Sequence, residues 1–192
     1  MPQRAAVVLC VLLAASPAFG QNPGVPLELY AGIGIVNDVT MAVRAPSIAG
    51  GMSWDYNASW WLVPILEGEF NTAGKPEPCR SASDSPDYCD DGIWLFGARF
   101  RHNPNAVSGV RPFATLLVGE YFDASGTDGR LFDGSHFAVQ SGAGIEIRWA
   151  RSFQGVRISA DVRHVSGLER YRHQIRLLGA YVIGPRRYKP HP

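Results

Sequence analysis

Hydrophobic and polar residues alternate along the C-terminal part of the chain, from His136 to Ile183. Between 136 and 149 the odd positions carry Phe, Val, Ser, Ala, Ile, Ile and Trp, whereas the even positions carry His, Ala, Gln, Gly, Gly, Glu and Arg. The segments 155–164 and 173–183 repeat this period of two, which predicts three β-strands with two different faces. Strands of about ten residues exceed the usual length of roughly five or six and match what a tilted strand needs to cross a bilayer.

Five earlier segments show the same period with less regularity. They are 27–36, 47–56, 60–71, 92–101 and 110–122. In the last of these both faces are rich in apolar residues, and we assign Phe113, Leu117 and Tyr121 to the outward face and Glu120 to the inward face. No segment between 27 and 183 shows the period of a helix. The pattern as a whole predicts an all-β protein, an eight-stranded antiparallel up-and-down transmembrane β-barrel.

The connections between these segments differ in length. Long connections are expected at 37–46, 72–91 and 123–135, and shorter turns at 57–59, 102–109 and 150–154. Outer-membrane barrels have short periplasmic turns and longer outer loops in alternation. With the N-terminus in the periplasm, the long connections fall at the cell surface.

Aromatic residues mark both ends of the predicted strands and are assigned to the outward face. They are Tyr56, Trp60, Phe100, Phe113 and Trp149 at the predicted periplasmic ends, and Phe70, Trp94, Tyr121 and Phe137 at the outer ends. Aromatic girdles at both headgroup levels are typical of membrane barrels. In a soluble lipocalin-like barrel the aromatic residues would point inward and the outer face would be charged.

The N-terminus has the pattern of a secretory signal peptide. Arg4 precedes an apolar run, Ala5–Ala15, and a small residue, Gly20, precedes Gln21. We expect cleavage between Gly20 and Gln21, so that residues 1–20 form the signal peptide, 21–184 the barrel and 185–192 a C-terminal tail. In the oxidising compartment that export implies, Cys79 and Cys89 are predicted to form a disulfide, and their surroundings lack the ligands of a zinc site.

The predicted inward face carries charged residues of both signs. They are Glu28, Asp55, Glu67, Glu69, Arg99, Arg101, Glu120, Glu146, Arg148, Arg157, Asp161, Arg163 and Arg176. An eight-stranded barrel has room inside only for side chains, and buried charges must be paired. We therefore expect an interior plugged by Arg–carboxylate pairs, with no cofactor and no metal. The near balance of 18 Lys+Arg against 17 Asp+Glu gives no basis for nucleic-acid binding.

The chain resembles the small eight-stranded outer-membrane β-barrels of the OmpA-like and opacity-like type. The resemblance covers about 27–183 and rests on the alternation and on segments such as GAGIEIRW and GVRISADVRH. It implies a monomer in the bacterial outer membrane, without enzymatic activity and with a structural or surface-interaction role. Its partners would be outer-membrane lipid, including lipopolysaccharide, and a surface ligand held by the outer loops. Barrels of this family usually end on an aromatic residue, whereas this chain continues past Ile183, which leaves Tyr181 as an internal assembly signal.

One motif indicates an alternative function. His164-Val165-Ser166 resembles the His-x-Ser of lipid A deacylases, in which Ser is the nucleophile, His the base and an acid orients the His. The acid of that family lies about a dozen residues after the Ser. Here that region, Leu177–Gly179, contains no carboxylate, and Gly167 stands where the family usually has Asn. The alternative reading is a lipid A-modifying hydrolase that uses His164 and Ser166.

Overall fold

The computed structural model describes residues 27–39, 43–54, 61–73, 89–102, 109–123, 135–149, 154–166 and 172–184. They form eight strands: β1 Leu27–Asp38, β2 Val43–Trp54, β3 Leu62–Ala73, β4 Cys89–Arg101, β5 Gly109–Asp123, β6 Ser135–Arg148, β7 Gln154–Val165 and β8 Arg172–Ile183. Each strand pairs antiparallel with its neighbours in sequence, and β8 pairs with β1 to close the barrel. The predicted eight-stranded up-and-down barrel is confirmed. No helix in the described part of the chain is long and apolar enough to cross a membrane.

The strands are staggered around the barrel. The register starts at Glu28, passes through paired inward residues of β2 to β8 and returns to β1 at Asp38, ten residues further along the strand. With a rise of about 3.3 Å per residue and about 4.8 Å between strands, this offset corresponds to a tilt of about 40°. We call the end of the barrel where β1 begins the lower end and the opposite end the upper end.

The alternation of faces follows the sequence in seven of the eight strands. In β7, for example, the side chains of Arg157, Asp161 and Arg163 are buried inside the barrel, whereas Ile158 and Val162 are exposed on its outer surface. Successive side chains of a strand point to opposite faces, so this period of two is a direct consequence of the strand backbone.

The face assignment of β5 was wrong. Phe113, Leu117 and Tyr121 are buried inside the barrel, while Leu116 and Glu120 are exposed on its outer surface. Both faces of β5 are apolar, so hydrophobicity does not distinguish them. The residue that does is Arg111, which shares the parity of Phe113 and is buried.

The predicted long connection at 37–46 was also wrong. β1 continues to Asp38 and β2 begins at Val43, so most of that segment is paired strand. Pro46 lies within β2, opposite Ile35, with its ring on the outer surface. A strand tolerates Pro where no ladder hydrogen bond is required of its nitrogen.

Several predictions fall on residues that the structure does not describe. These are the signal peptide with its Gly20–Gln21 cleavage site, the tail 185–192, and Tyr56, Trp60, Asp55 and Cys79. Cys89 begins β4, but its side chain lies outside the described set, so the disulfide stays a prediction.

Candidate functional site

A first group of paired charges fills the lower half of the interior. This lower charge cluster consists of Glu28, Arg99, Glu146, Arg148 and Arg157. Glu28 accepts hydrogen bonds from Arg148 and from Arg157 (2.7 Å), and its carboxylate lies 2.7 Å from a guanidinium nitrogen of Arg99. Glu146 accepts from Arg148 at 2.7 Å and from Arg157 at 2.9 Å. Each carboxylate therefore bridges several guanidinium groups contributed by different strands.

A second group lies nearer the upper end. This upper charge cluster consists of Glu67, Glu69, Asp161, Arg163 and Arg176. Arg163 holds Glu69 through two parallel hydrogen bonds of 3.1 and 2.9 Å, the bidentate geometry that suits a planar guanidinium. Arg176 lies 2.8 Å from a carboxylate oxygen of Glu67, donates to Asp161 at 2.8 Å, and also donates to Glu69. The cluster thus ties β3 to β7 and β8 across the barrel.

Neutral side chains extend the upper charge cluster. Gln140 on β6 donates to Glu67 at 3.1 Å and accepts from Arg163 at 2.8 Å. Tyr30 on β1 donates its hydroxyl hydrogen to Glu67. Above them, Asp91 accepts from Asn71 and from Tyr121, both at 2.6 Å. Hydrogen-bonded side chains therefore occupy the interior from the lower end of the barrel to the upper end.

Most of the predicted interior charges lie inside the barrel. All of those that the structure describes lie inside the barrel except Glu120, which is exposed on β5 between Trp94 of β4 and Phe137 of β6. The assignment of Glu120 to the interior was wrong, and it follows from the inverted faces of β5. The same inversion left out Arg111, which is buried. Arg101 is likewise buried, close to the lower end of β4.

The outer surface of the barrel is apolar along the middle of the strands. Ile33 is 71% exposed, Leu116 51% and Leu177 60%, and each lies in the central part of its strand. In water, a continuous apolar surface of this kind would be strongly unfavourable. It is the surface expected of a barrel surrounded by lipid chains.

Aromatic rings cover both ends of this surface. At the lower end Trp61 packs on Phe100, with ring centroids 5.8 Å apart, and Trp149 lies 6.2 Å from Tyr181. At the upper end the exposed aromatic residues are Phe70, Trp94 and Phe137. The predicted girdle is thus present at Phe70, Trp94, Phe100, Phe137 and Trp149. It was wrong for Phe113 and Tyr121, which lie inside.

The residues of the predicted catalytic motif lie at the upper end of β7. Ser166 donates its hydroxyl hydrogen to the main-chain carbonyl of Phe137 at 3.1 Å, so this hydrogen is not directed at His164. The residue of β8 opposite His164 is His173, and their Nδ1 atoms are 3.4 Å apart. An imidazole therefore stands on the last strand beside the candidate base. In the region 177–179, where an acid would be required, Leu177 is exposed on the outer surface.

No group of three or more His, Cys, Asp or Glu side chains with the arrangement of a metal site occurs among the residues that the structure describes. The carboxylates of the two charge clusters are held by guanidinium groups instead.

No protein-family model matches the chain, and no curated protein matches it. Solved structures do match. Neisserial surface protein A is 10% identical over 82% of this chain and 95% of that chain, with a TM-score of 0.59. The outer membrane enzyme PagL is 16% identical over 81% and 98%, with a TM-score of 0.49, and the N-terminal β-barrel domain of Pseudomonas aeruginosa OprF is 11% identical over 82% and 98%, with a TM-score of 0.48. The closed barrel and the likeness to Neisserial surface protein A show that the chain has the fold of the small eight-stranded outer-membrane β-barrels.

Proposed function

We propose that this chain is a non-enzymatic protein of the bacterial outer membrane with a structural or surface-interaction role. The observation that carries the proposal is the contrast between an apolar outer surface and an interior filled with paired charges. An apolar surface favours lipid, and a filled interior leaves no aqueous path through the barrel. The barrel then acts as an anchor, and the connections at its two ends are the parts that meet other molecules.

The absence of a channel is tested by conductance. We expect wild-type protein in planar lipid bilayers to give no steady conductance above that of the lipid. The double variant Glu69→Ala/Arg163→Ala is a matched control, because it removes a buried pair without changing net charge. A stable open state in the wild type would contradict the anchor role.

We place the upper end of the barrel at the cell surface. The upper end carries the two longest connections, 74–88 and 124–134, together with 39–42 and 166–171, whereas the lower end carries 55–61, 102–108 and 149–153. Longer connections are typical of the outer side of such barrels. An epitope inserted between Ser83 and Asp84 should be labelled on intact cells, and one inserted after Asn105 only after the outer membrane is permeabilised. The reverse pattern would overturn this orientation.

A disulfide between Cys79 and Cys89 belongs to the same proposal. It would close the longest upper connection, and the periplasm through which the chain is exported permits its formation. Alkylation of the unfolded mature protein should add no label at either cysteine until a reductant is supplied. Labelling without reductant would exclude the bond.

The partners we propose are outer-membrane lipid, including lipopolysaccharide, around the barrel and a surface ligand at the upper connections. The barrel is proposed to be a monomer, because closure by the β1–β8 pairing leaves no strand edge to pair with another copy. Sedimentation in detergent should give one chain per particle. Replacing 76–86 by an Asn-Gly turn should leave the folded barrel intact and abolish ligand binding at the surface; retained binding would move the ligand site elsewhere.

The competing function is a lipid A-modifying hydrolase. It would require Ser166 to give its hydrogen to His164 and an acid to orient the imidazole. The hydrogen bond from Ser166 to Phe137 and the position of His173 weigh against this arrangement. We expect folded protein to release no fatty acid from lipopolysaccharide. Release that disappears in Ser166→Ala and persists in Ser135→Ala would instead support the hydrolase.

A further inference from the structure

We propose that His164 and His173 form a binding site for a divalent transition-metal ion such as Zn²⁺, Cu²⁺ or Ni²⁺ at the upper rim of the barrel. The two residues are directly paired across β7 and β8. Their rings lie with centroids 4.8 Å apart, inclined at 46°. The Nδ1 atoms of the two rings approach each other to 3.4 Å.

This separation matches a pair of metal ligands. Two imidazole nitrogens bound to a tetrahedral ion at about 2.0–2.1 Å are about 3.4 Å apart. Nitrogen donors bind oxygen acceptors at typical distances of about 2.9–3.0 Å, and a separation of 3.4 Å is long against that value. The separation of the two Nδ1 atoms is that of two ligands of one ion, and binding requires that both nitrogens be deprotonated.

The surroundings hold the pair in place. Both residues are next to the end of a paired strand, His164 before Val165 and His173 after Arg172, so the β7–β8 ladder fixes their spacing. Below them on the same outer face, Val162 and Ile175 are exposed and directly paired. Sites on regular strands keep their geometry more accurately than sites on loops.

The ion reaches this position from the aqueous side. His173 is exposed and His164 half-buried, and both lie at the end of the apolar surface. Imidazole is a ligand suited to zinc, copper and nickel, and the coordination positions that two His leave open are available to water. A sequence search for metal motifs misses the pair, because nine positions and a strand-to-strand connection separate the two residues.

The experiment uses the untagged mature protein folded in detergent. Cu²⁺ is titrated and followed by electron paramagnetic resonance for nitrogen coordination, and Zn²⁺ is titrated by calorimetry. The variants are His164→Ala, His173→Ala and the double substitution. His136→Ala is the matched control, because His136 lies near the upper end of β6 with inward parity.

We expect one tightly bound ion per chain and two coordinating nitrogens in the wild type. Each single substitution should raise the Kd at least about tenfold, since loss of a ligand weakens binding at least as much as loss of an outer-shell partner. The Kd of the double variant should exceed that of the weaker-binding single variant by no more than about threefold. The Kd of His136→Ala should match that of the wild type.

A Kd that changes less than tenfold in either single variant overturns the site, and so does an equal loss in His136→Ala. If an Ala variant does not fold, His→Asn at the same position keeps a polar side chain of similar size and applies the same criterion. The measurement is independent of the proposed surface role, because it needs neither lipopolysaccharide nor a surface ligand. If no metal is bound, the proposed surface role is unaffected.

Discussion

The guanidinium carbon of Arg157 lies 4.5 Å from the centre of the Tyr30 ring, while the hydroxyl of the same ring donates to Glu67. Arg157 belongs to the lower charge cluster and Glu67 to the upper one. A guanidinium over an aromatic face is attracted to it, and the attraction strengthens when both groups are removed from water. One aromatic side chain therefore links the two clusters into a single network.

Tyr30 should accordingly be one of the more sensitive interior positions. Tyr30→Phe keeps the ring under Arg157 but removes one hydrogen bond to Glu67, and it should lower the free energy of unfolding by about 1–3 kcal/mol. Tyr30→Ala also removes the ring and should cost about 3–5 kcal/mol. Urea titration in lipid vesicles, followed by tryptophan fluorescence, gives both values. Equal losses would mean that the ring contact with Arg157 contributes nothing.

The two acids Glu69 and Glu120 should respond very differently to truncation. Glu69→Ala leaves Arg163 and Arg176 without their shared carboxylate, and breaking a buried ion pair costs about 3–5 kcal/mol. Glu120→Ala removes an exposed side chain and should change stability by no more than about 0.5 kcal/mol. The same vesicle titration compares them. A large loss of stability in Glu120→Ala would mean that the Glu120 side chain lies inside the barrel.

The outer face of β5 allows a test of membrane depth within one strand. Leu116 is the central residue of β5, and Val110 is the second residue from its lower end. Leu116→Arg should cost about 2–4 kcal/mol in a bilayer, whereas Val110→Arg should cost about 0–1 kcal/mol. In detergent solution, which adapts to a charged side chain, the difference should shrink. Indistinguishable effects in lipid would mean that the two positions do not differ in depth.

Two glycines of the barrel wall form another matched pair. A Cβ built at Gly119 would lie 1.8 Å from the main-chain oxygen of Trp94, whereas one at Gly179 meets its nearest atom at 4.0 Å. Gly119→Ala must push two strands apart and should cost about 1–3 kcal/mol. Gly179→Ala should be neutral or stabilising, because it reduces the freedom of the unfolded chain. Both effects are measured by the fraction of protein that refolds in vesicles and by the midpoint of its unfolding.

The barrel could be predicted from the sequence because its two environments differ so strongly. In β6 and β7 nearly every outward residue is aliphatic, aromatic or small and nearly every inward one is polar or glycine, so the alternation assigns the faces without help from neighbouring strands. The charged interior follows from the same rule, because carboxylates and guanidinium groups on the inward face must form ion pairs once the barrel is closed.

The errors arise where that contrast disappears. The interior of this barrel holds an apolar layer as well as charges, and Phe113 fits there because its ring lies against Gly144 and beneath the guanidinium of Arg157. A ring that fills the space beside a glycine cannot be told from a lipid-facing ring by hydrophobicity alone. The pairing of His164 with His173 depends on the β7–β8 register, which no local pattern specifies.

The seam between β1 and β8 sets this barrel apart from a simple row of hairpins. Seven of the strand pairings join neighbours in sequence, but the pairing of Leu29 with Ile183 joins opposite ends of the barrel domain. Closing so long a segment costs chain entropy that the hairpins avoid, and contacts of large sequence separation form slowly. We expect the β1–β8 pairing to form last during insertion into the membrane. Substitutions along it should therefore leave the early hairpin phases of folding unchanged and slow only the final closure.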